Sequence, residues 1–341
     1  MLWLTWRQHR TQLLVTLGFL AVIGGILLLS GQAALGSASG KIASYCYGGG
    51  VPCREYDAGL EDLYQKVYPL IVILPFVPLL AGVFWGAPLL AKEYERGTYQ
   101  LVWTQSVSRG RWLAAKFGVL AVAAALAGLA SGQMFGRWLE IFPGKAETLN
   151  ETSYFGAVGV APAAWWLFAF VLGAAAGVLV RKTVPAIAIT AAVFVAASIT
   201  LMLLRPHYAE PVRTVGVDPS TKDGLIVRAG RVAPDGRELR LLDEVPECPR
   251  GKGMTACVEA AGYRDFTVYQ PAGRFWRFQW TEAGILLAAT AVLGGVAARG
   301  TVRRRRGDGG GPEPQASGRW GRVRAKHGER SSPPAIPEPR A

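Results

Sequence analysis

The sequence predicts an all-α polytopic membrane protein, with six transmembrane helices and a small external domain between the fifth and sixth spans. Three observations carry this. The 341 residues are 51% hydrophobic and only 18% charged, whereas a soluble domain usually carries about 25% charge. The apolar residues gather into runs near or above the roughly 20 that a helix needs to cross about 30 Å of hydrocarbon. The formal charge of +13 sits mainly beside those runs and in the C-terminal tail. Basic and aromatic residues do not alternate on any one soluble module, so the positive-inside rule accounts for the charge and nucleic acid is not expected as a partner.

Taken in order, the N-terminal MLWLTWRQHR sets Leu2, Trp3 and Trp6 against Arg7, His9 and Arg10. That suits a short interfacial helix with aromatics at headgroup depth and cations in the cytoplasm. The first span is expected over residues 12–29. A signal peptide cleaved among the small residues 33–39 is the competing reading, though the apolar run is long for one. The Gly- and Ser-rich segment that follows, 30–66, is outside in either case. The second span covers 67–91, where Pro69, Pro75, Pro78 and Pro88 should kink or break the helix.

The third span is expected over 112–135, with Lys116 placed to snorkel to the cytoplasmic surface. Residues 136–153 return outside and carry the sequon Asn150-Glu151-Thr152. The fourth and fifth spans, 154–180 and 184–204, are separated only by Arg181, Lys182 and Thr183, a tight hairpin with a basic turn. A polar segment, 205–278, has strand and turn signals of its own: Leu225-Ile226-Val227, a Pro234-Asp235-Gly236 turn, then Leu239. The sixth span is 279–298, anchored by Phe275, Trp276 and Trp280 and stopped by Arg299 and Arg303 to Arg306. The tail, 299–341, is Gly-, Pro- and Arg-rich, and is expected to be a disordered cytoplasmic extension. An even number of spans puts both termini in the cytoplasm. The four cysteines fall as local pairs, Cys46 with Cys53 and Cys248 with Cys257, in segments placed outside, where disulfides persist.

Catalytic chemistry has no foothold in this pattern. An ion- or proton-driven device needs ionisable groups at mid-membrane, where each costs about 2.5–3.5 kcal/mol. No span has Asp, Glu, Arg, Lys or His near its expected centre; Glu140 and Glu282 fall near span ends. There is no HExxH motif and no paired membrane aspartates. His9, His207 and His327 belong to segments too far apart to suggest a metal site. The nearest phosphate-loop look-alikes, Pro143-Gly144-Lys145-Ala146 and Gly251-Lys252-Gly253, lack the glycine spacing and the Ser or Thr after lysine. No cofactor is expected. If ATP drives this protein, the ATPase is another polypeptide.

The remaining signal is the connector between spans two and three, within FWGAPLLAKEYERGTYQLVWTQSVSRGRWLAAKF at residues 84–117. Lys92, Glu93, Glu95 and Arg96 give mixed charge at the membrane exit, and Gly97 permits a break. Thr98 suits an N-cap, after which Tyr99, Val102, Trp103 and Val107 fall near one helical face. Ser108 suits the cap of the next helix. The connector reads as a short amphipathic helix on the cytoplasmic surface, with an ordinary interfacial loop as the alternative.

This segment, the opening LTWRQHR and the six-span plan resemble the permease subunits of ABC-2 type ABC transporters, especially the divergent ones of actinobacteria. The matching residues are Glu95-Arg96-Gly97-Thr98, Ser106-Val107-Ser108-Arg109 and Lys116. The resemblance implies a non-catalytic subunit in a bacterial plasma membrane, paired with a second permease copy or paralogue and served by cytoplasmic ATP-binding subunits. Its ATPase-docking loop would comprise Glu93, Glu95, Arg96, Gly97, Thr98, Trp103, Ser106 and Arg109. Uncharged spans favour an amphiphilic cargo such as a lipid, peptide or antibiotic. One departure stands out: family members often carry re-entrant helices between the last two spans, where this chain has a polar, cysteine-bearing segment. The alternative from a different class is a membrane-anchored sensor that uses 205–278 to bind an external partner.

Overall fold

The computed structural model describes residues 2–37, 51–95, 109–142, 149, 155–216, 224–240 and 254–303. Among them, six helical segments are long and apolar enough to cross a membrane: Leu13–Leu35, Glu61–Lys92, Phe117–Leu139, Ala161–Val180, Thr183–His207 and Ala272–Arg299.

Span one belongs to α1 (Leu2–Ser37), a single helix from its first residues. The separate interfacial helix expected at the N-terminus is instead its first turns, since nothing between Leu2 and Gln12 breaks a helix. Span two opens in α2 (Val51–Ile73), which begins inside the segment expected to be a loop. It then changes character at each proline. Pro69 lies within α2, Pro75 sits in a 3-10 turn, Leu74–Phe76, and Pro78 opens α3 (Val77–Ala81). A π-helical turn, Gly82–Gly86, leads into α4 (Ala87–Glu95). Pro75, Pro78 and Pro88 each fall in the first turn of a fresh segment, where the missing N–H costs least. The span is therefore continuous but repeatedly re-phased.

Span three is α5 (Arg109–Leu139). Span four, α6 (Ala161–Val180), starts later than the sequence suggests, because Phe155 to Val160 form a buried turn ahead of it. Span five is α7 (Thr183–Leu204) and span six is in α9 (Phe275–Arg303). Span four is the central element: 72% of its apolar window is buried, against 17% for span five and 22% for spans one and six. It buries most because small residues cover it. Ala161, Ala164, Ala169, Ala174, Ala175, Ala176, Gly173 and Gly177 let neighbours approach on several sides. Hydroxyls in the spans satisfy themselves locally, as apolar surroundings require: Thr190 Oγ1 donates to Ala186 O at 2.7 Å and Ser131 Oγ to Gly128 O at 2.8 Å.

Between spans five and six lies a four-stranded antiparallel sheet in the order β1-β4-β2-β3. Its strands are β1 (Val212–Val215), β2 (Leu225–Val232), β3 (Glu238–Arg240) and β4 (Arg264–Gln270), with a short α8 (Met254–Ala260) before β4. The hairpin expected around Pro234-Asp235-Gly236 joins β2 to β3, and Gly236 takes φ 85° there. Met1–Thr301 form one compact unit, so the sheet is not set apart from the helices. Gln270, fully buried, donates from Nε2 to Pro206 O at 2.8 Å and Ala209 O at 2.5 Å. Arg274 donates to Glu210 O at 2.5 Å.

Candidate functional site

The connector identified in the sequence begins at the end of α4, and there the structure is informative. Spans two and four run backbone against backbone. A Cβ built on Gly82 would lie 2.6 Å from Ala169 O, and one on Gly177 would lie 2.5 Å from Ala87 O. Gly86 and Gly173 are tighter still, facing Phe170 O and Gly82 O. Gly82 with Gly86, and Gly173 with Gly177, are two GxxxG spacings that interlock, an arrangement in which close approach replaces a hydrophobic driving force between helices. The π-helical turn falls on the first of them, where an extra residue per turn re-aims the glycine face.

This tight seam ends at two contacts with the turn between spans four and five. Gly177 O accepts from Arg181 N at 3.0 Å, and Arg181 ends α6 in the left-handed region at φ 61°. Its guanidinium lies 4.9 Å from the centre of the Tyr94 ring. Lys182 then enters α7 with extended backbone and supplies no side-chain cap. Glu95 supplies the cap instead. Its Oε1 accepts from Thr183 N at 2.7 Å and its Oε2 from Thr183 Oγ1 at 2.8 Å. A carboxylate at a helix N-terminus satisfies an orphan donor and complements the helix dipole. The Thr183 amide, and then its hydroxyl, hold the Glu95 carboxyl below the ordinary glutamate range, with Lys182 and Lys92 adding to the effect.

Of the residues expected to form the docking loop, Glu95 is the one whose side chain the structure describes. Glu93 lies on α4 and Arg109 is the first residue of α5, each known from its backbone alone. Arg96, Gly97, Thr98, Trp103 and Ser106 lie outside the described residues. So do Cys46 and Cys248, the Asn150 sequon and residues 304–341. Cys53 falls on α2 and Cys257 is half-buried on α8. Among the described residues no group of His, Cys, Asp and Glu is arranged to hold a metal ion.

At the opposite end of the bundle, sequence reading missed a buried polar cluster. Glu282 on α9 is fully buried and accepts from Trp165 Nε1 at 2.9 Å and from Arg205 NH2 at 3.2 Å. Arg205 also stacks on Phe155, 4.0 Å from the ring centre. Three residues earlier, Gln279 caps span four: its Oε1 accepts from Ala161 N at 2.8 Å and Val160 N at 3.2 Å, while its Nε2 donates to Phe155 O at 2.7 Å. Spans four, five and six are thus tied by side chains at that end. The only signal in the sequence was a Glu and a Gln three apart on one helical face of an apolar run, together with an Arg at the end of span five.

Six helices long and apolar enough to cross a membrane define a multi-pass membrane protein. A family model described as ABC-2 membrane transporter related matches residues 17–205, more than half the chain. The chain belongs to that family and is an ABC-2 type permease, a membrane component that is generally non-catalytic. The match spans helices one to five and stops at Arg205, so the sheet and span six lie beyond it. No curated protein and no solved structure matches the chain.

Proposed function

We propose that this chain is the membrane-spanning subunit of an ATP-driven exporter, with ATP hydrolysed by a separate cytoplasmic subunit. The observation that carries the reading is the family match over spans one to five in a chain whose sequence has no nucleotide-binding motif. The Glu95 end of the bundle is the cytoplasmic one in this reading. Lys92, Arg181, Lys182 and Arg299 gather there, as the positive-inside rule requires. The connector between α4 and α5 then seats the ATPase on the inner face of a bacterial plasma membrane, and both termini lie on that face. A second permease, identical or paralogous, completes the pathway, and exposed apolar residues on spans one, five and six meet it or lipid. Spans without central charge suit an amphiphilic cargo: a lipid, a peptide or an antibiotic. The sheet between spans five and six faces outward, where the Cys248–Cys257 pair can be oxidised.

The test is purification from native-host membranes in mild detergent, using a tag on the C-terminal tail. A stoichiometric ATP-hydrolysing partner is expected, and it should be lost when Arg96 to Thr98 are replaced by alanine. A preparation without any ATPase would overturn the reading.

A further inference from the structure

The docking reading places Glu95 among the residues that touch the ATPase, yet the carboxylate is already committed within the chain. Both of its oxygens are bonded to Thr183, at 2.7 and 2.8 Å. The preceding residue, Tyr94, lies under Arg181, 4.9 Å away. Two consecutive side chains at the end of span two therefore hold the two sides of the turn that joins spans four and five.

The mechanical contrast between the neighbours matters. Spans two and four meet through interlocked glycines whose backbones leave no room for a side chain, so they are constrained to move together. Span five is the least buried of the six. Its first residue is gripped by Glu95, and the side chain of Lys182, at the capping position, supplies no cap. Displacement at the end of α4 has a short, charge-assisted path to span five, through one side chain into the first peptide of α7.

We propose that Glu95 is a positioning residue for span five: through Thr183, it delivers movement of the α4 terminus to the base of α7. The role rests on the permease reading above and deepens it, because it assigns the connector two parts. Arg96 onward meets the ATPase, whereas Glu95 and Tyr94 engage the turn between spans four and five and transmit. Span five is the moving element, and the glycine-locked pair of spans two and four is the frame it moves against.

The test uses the full-length protein co-purified with its ATPase and reconstituted in nanodiscs. Peptide-level amide exchange at residues 183–190 is compared with ADP and with ATP plus vanadate. Four variants separate the roles. E95A removes the grip. T183V removes one hydrogen bond and leaves the Glu95 side chain itself unaltered. T183S keeps the hydroxyl, and E95Q keeps a bidentate clasp, since the threonine hydroxyl can turn to accept, while removing the charge. E95A and T183V should retain the ATPase, but their nucleotide-dependent change in exchange should shrink by about fivefold, the ratio that a lost capping bond gives a two-state equilibrium. T183S should respond like the unaltered chain, and E95Q, which keeps both contacts in their weaker neutral form, should fall between it and E95A. A full response in both E95A and T183V overturns the proposal. Loss of the ATPase from E95Q overturns it in favour of a direct charged contact. Absence of any ATPase with the unaltered chain removes the permease reading, and this proposal with it.

Discussion

Replacing Glu282 with alanine tests the architecture at the end of the bundle opposite Glu95 most directly. The carboxylate is fully buried and the Arg205 side chain is only 6% exposed. Truncation leaves a guanidinium without its counter-ion in an apolar surround and orphans the indole N–H of Trp165. Breaking a buried pair by removing one partner costs about 3–5 kcal/mol, because the other charge stays buried and uncompensated. The orphaned indole adds about 1–3 kcal/mol. The stacking of Arg205 on Phe155 is present with or without Glu282 and drops out of the difference. The total is about 4–8 kcal/mol. At about 2–4 °C per kcal/mol for a chain of this size, the thermal midpoint should fall by roughly 10–30 °C. The assay is monodispersity on size-exclusion chromatography after heating in detergent. The double variant Arg205→Met with Glu282→Met should recover most of the loss, because a buried pair replaced by apolar residues of similar volume is often neutral. A midpoint for Glu282→Ala within a degree of the unaltered protein would refute the reasoning.

Other outcomes follow from the same contacts. Gly86→Leu should abolish the folded monodisperse protein, since a side chain there meets the Phe170 carbonyl, whereas Gly118→Leu, with open space around it, should be tolerated. Gln279→Ala should cost about 1–3 kcal/mol in the same heating assay, because it strips acceptors from Val160 and Ala161 N–H and a donor from Phe155 O. Acidification should loosen the base of span five. The Glu95 carboxyl is lowered by Thr183 while Lys92, Lys182 and Arg181 stand nearby, so its contribution is complete above the ordinary value of 4.5 and is lost as pH falls through the lower folded value. Amide exchange at Thr183, corrected for the intrinsic pH dependence, should accelerate only below that range, and E95Q should show no such transition.

Much of the membrane plan is legible in the residue order. Runs of apolar side chains demand burial in lipid or protein, and an apolar solvent forces each run into a helix that satisfies its own backbone. The six apolar runs therefore reappear as six helices long and apolar enough to cross a membrane, with ends shifted by several residues, as in span four. That span begins at Ala161 rather than at 154, because Gln279, far away in sequence, stabilises a turn that local propensity does not reveal. The β2–β3 hairpin was readable from its Pro-Asp-Gly turn, whereas β1 and β4 were not. Val212–Val215 and Arg264–Gln270 are short and become strands by pairing with each other and, for β4, with β2 across the sequence.

The site divides in the same way. The mixed charges of Lys92 to Arg96 and the Glu-Arg-Gly-Thr pattern are what single out the connector in the sequence. Their order along the chain could not say which of those charges is bonded within the chain. That is decided by the distance between the end of span two and the start of span five, set in turn by glycines whose spacing was visible but whose pairing was not. Composition and period alone determined that this protein lives in a bilayer with six helices and carries no recognisable nucleotide site, because those properties are sums over local segments. Only the tertiary structure decided that Glu95 caps span five, that Glu282 holds Arg205 and that span four is the axis of the bundle. Each depends on two segments brought together by packing, and sequence separation carries no record of that distance.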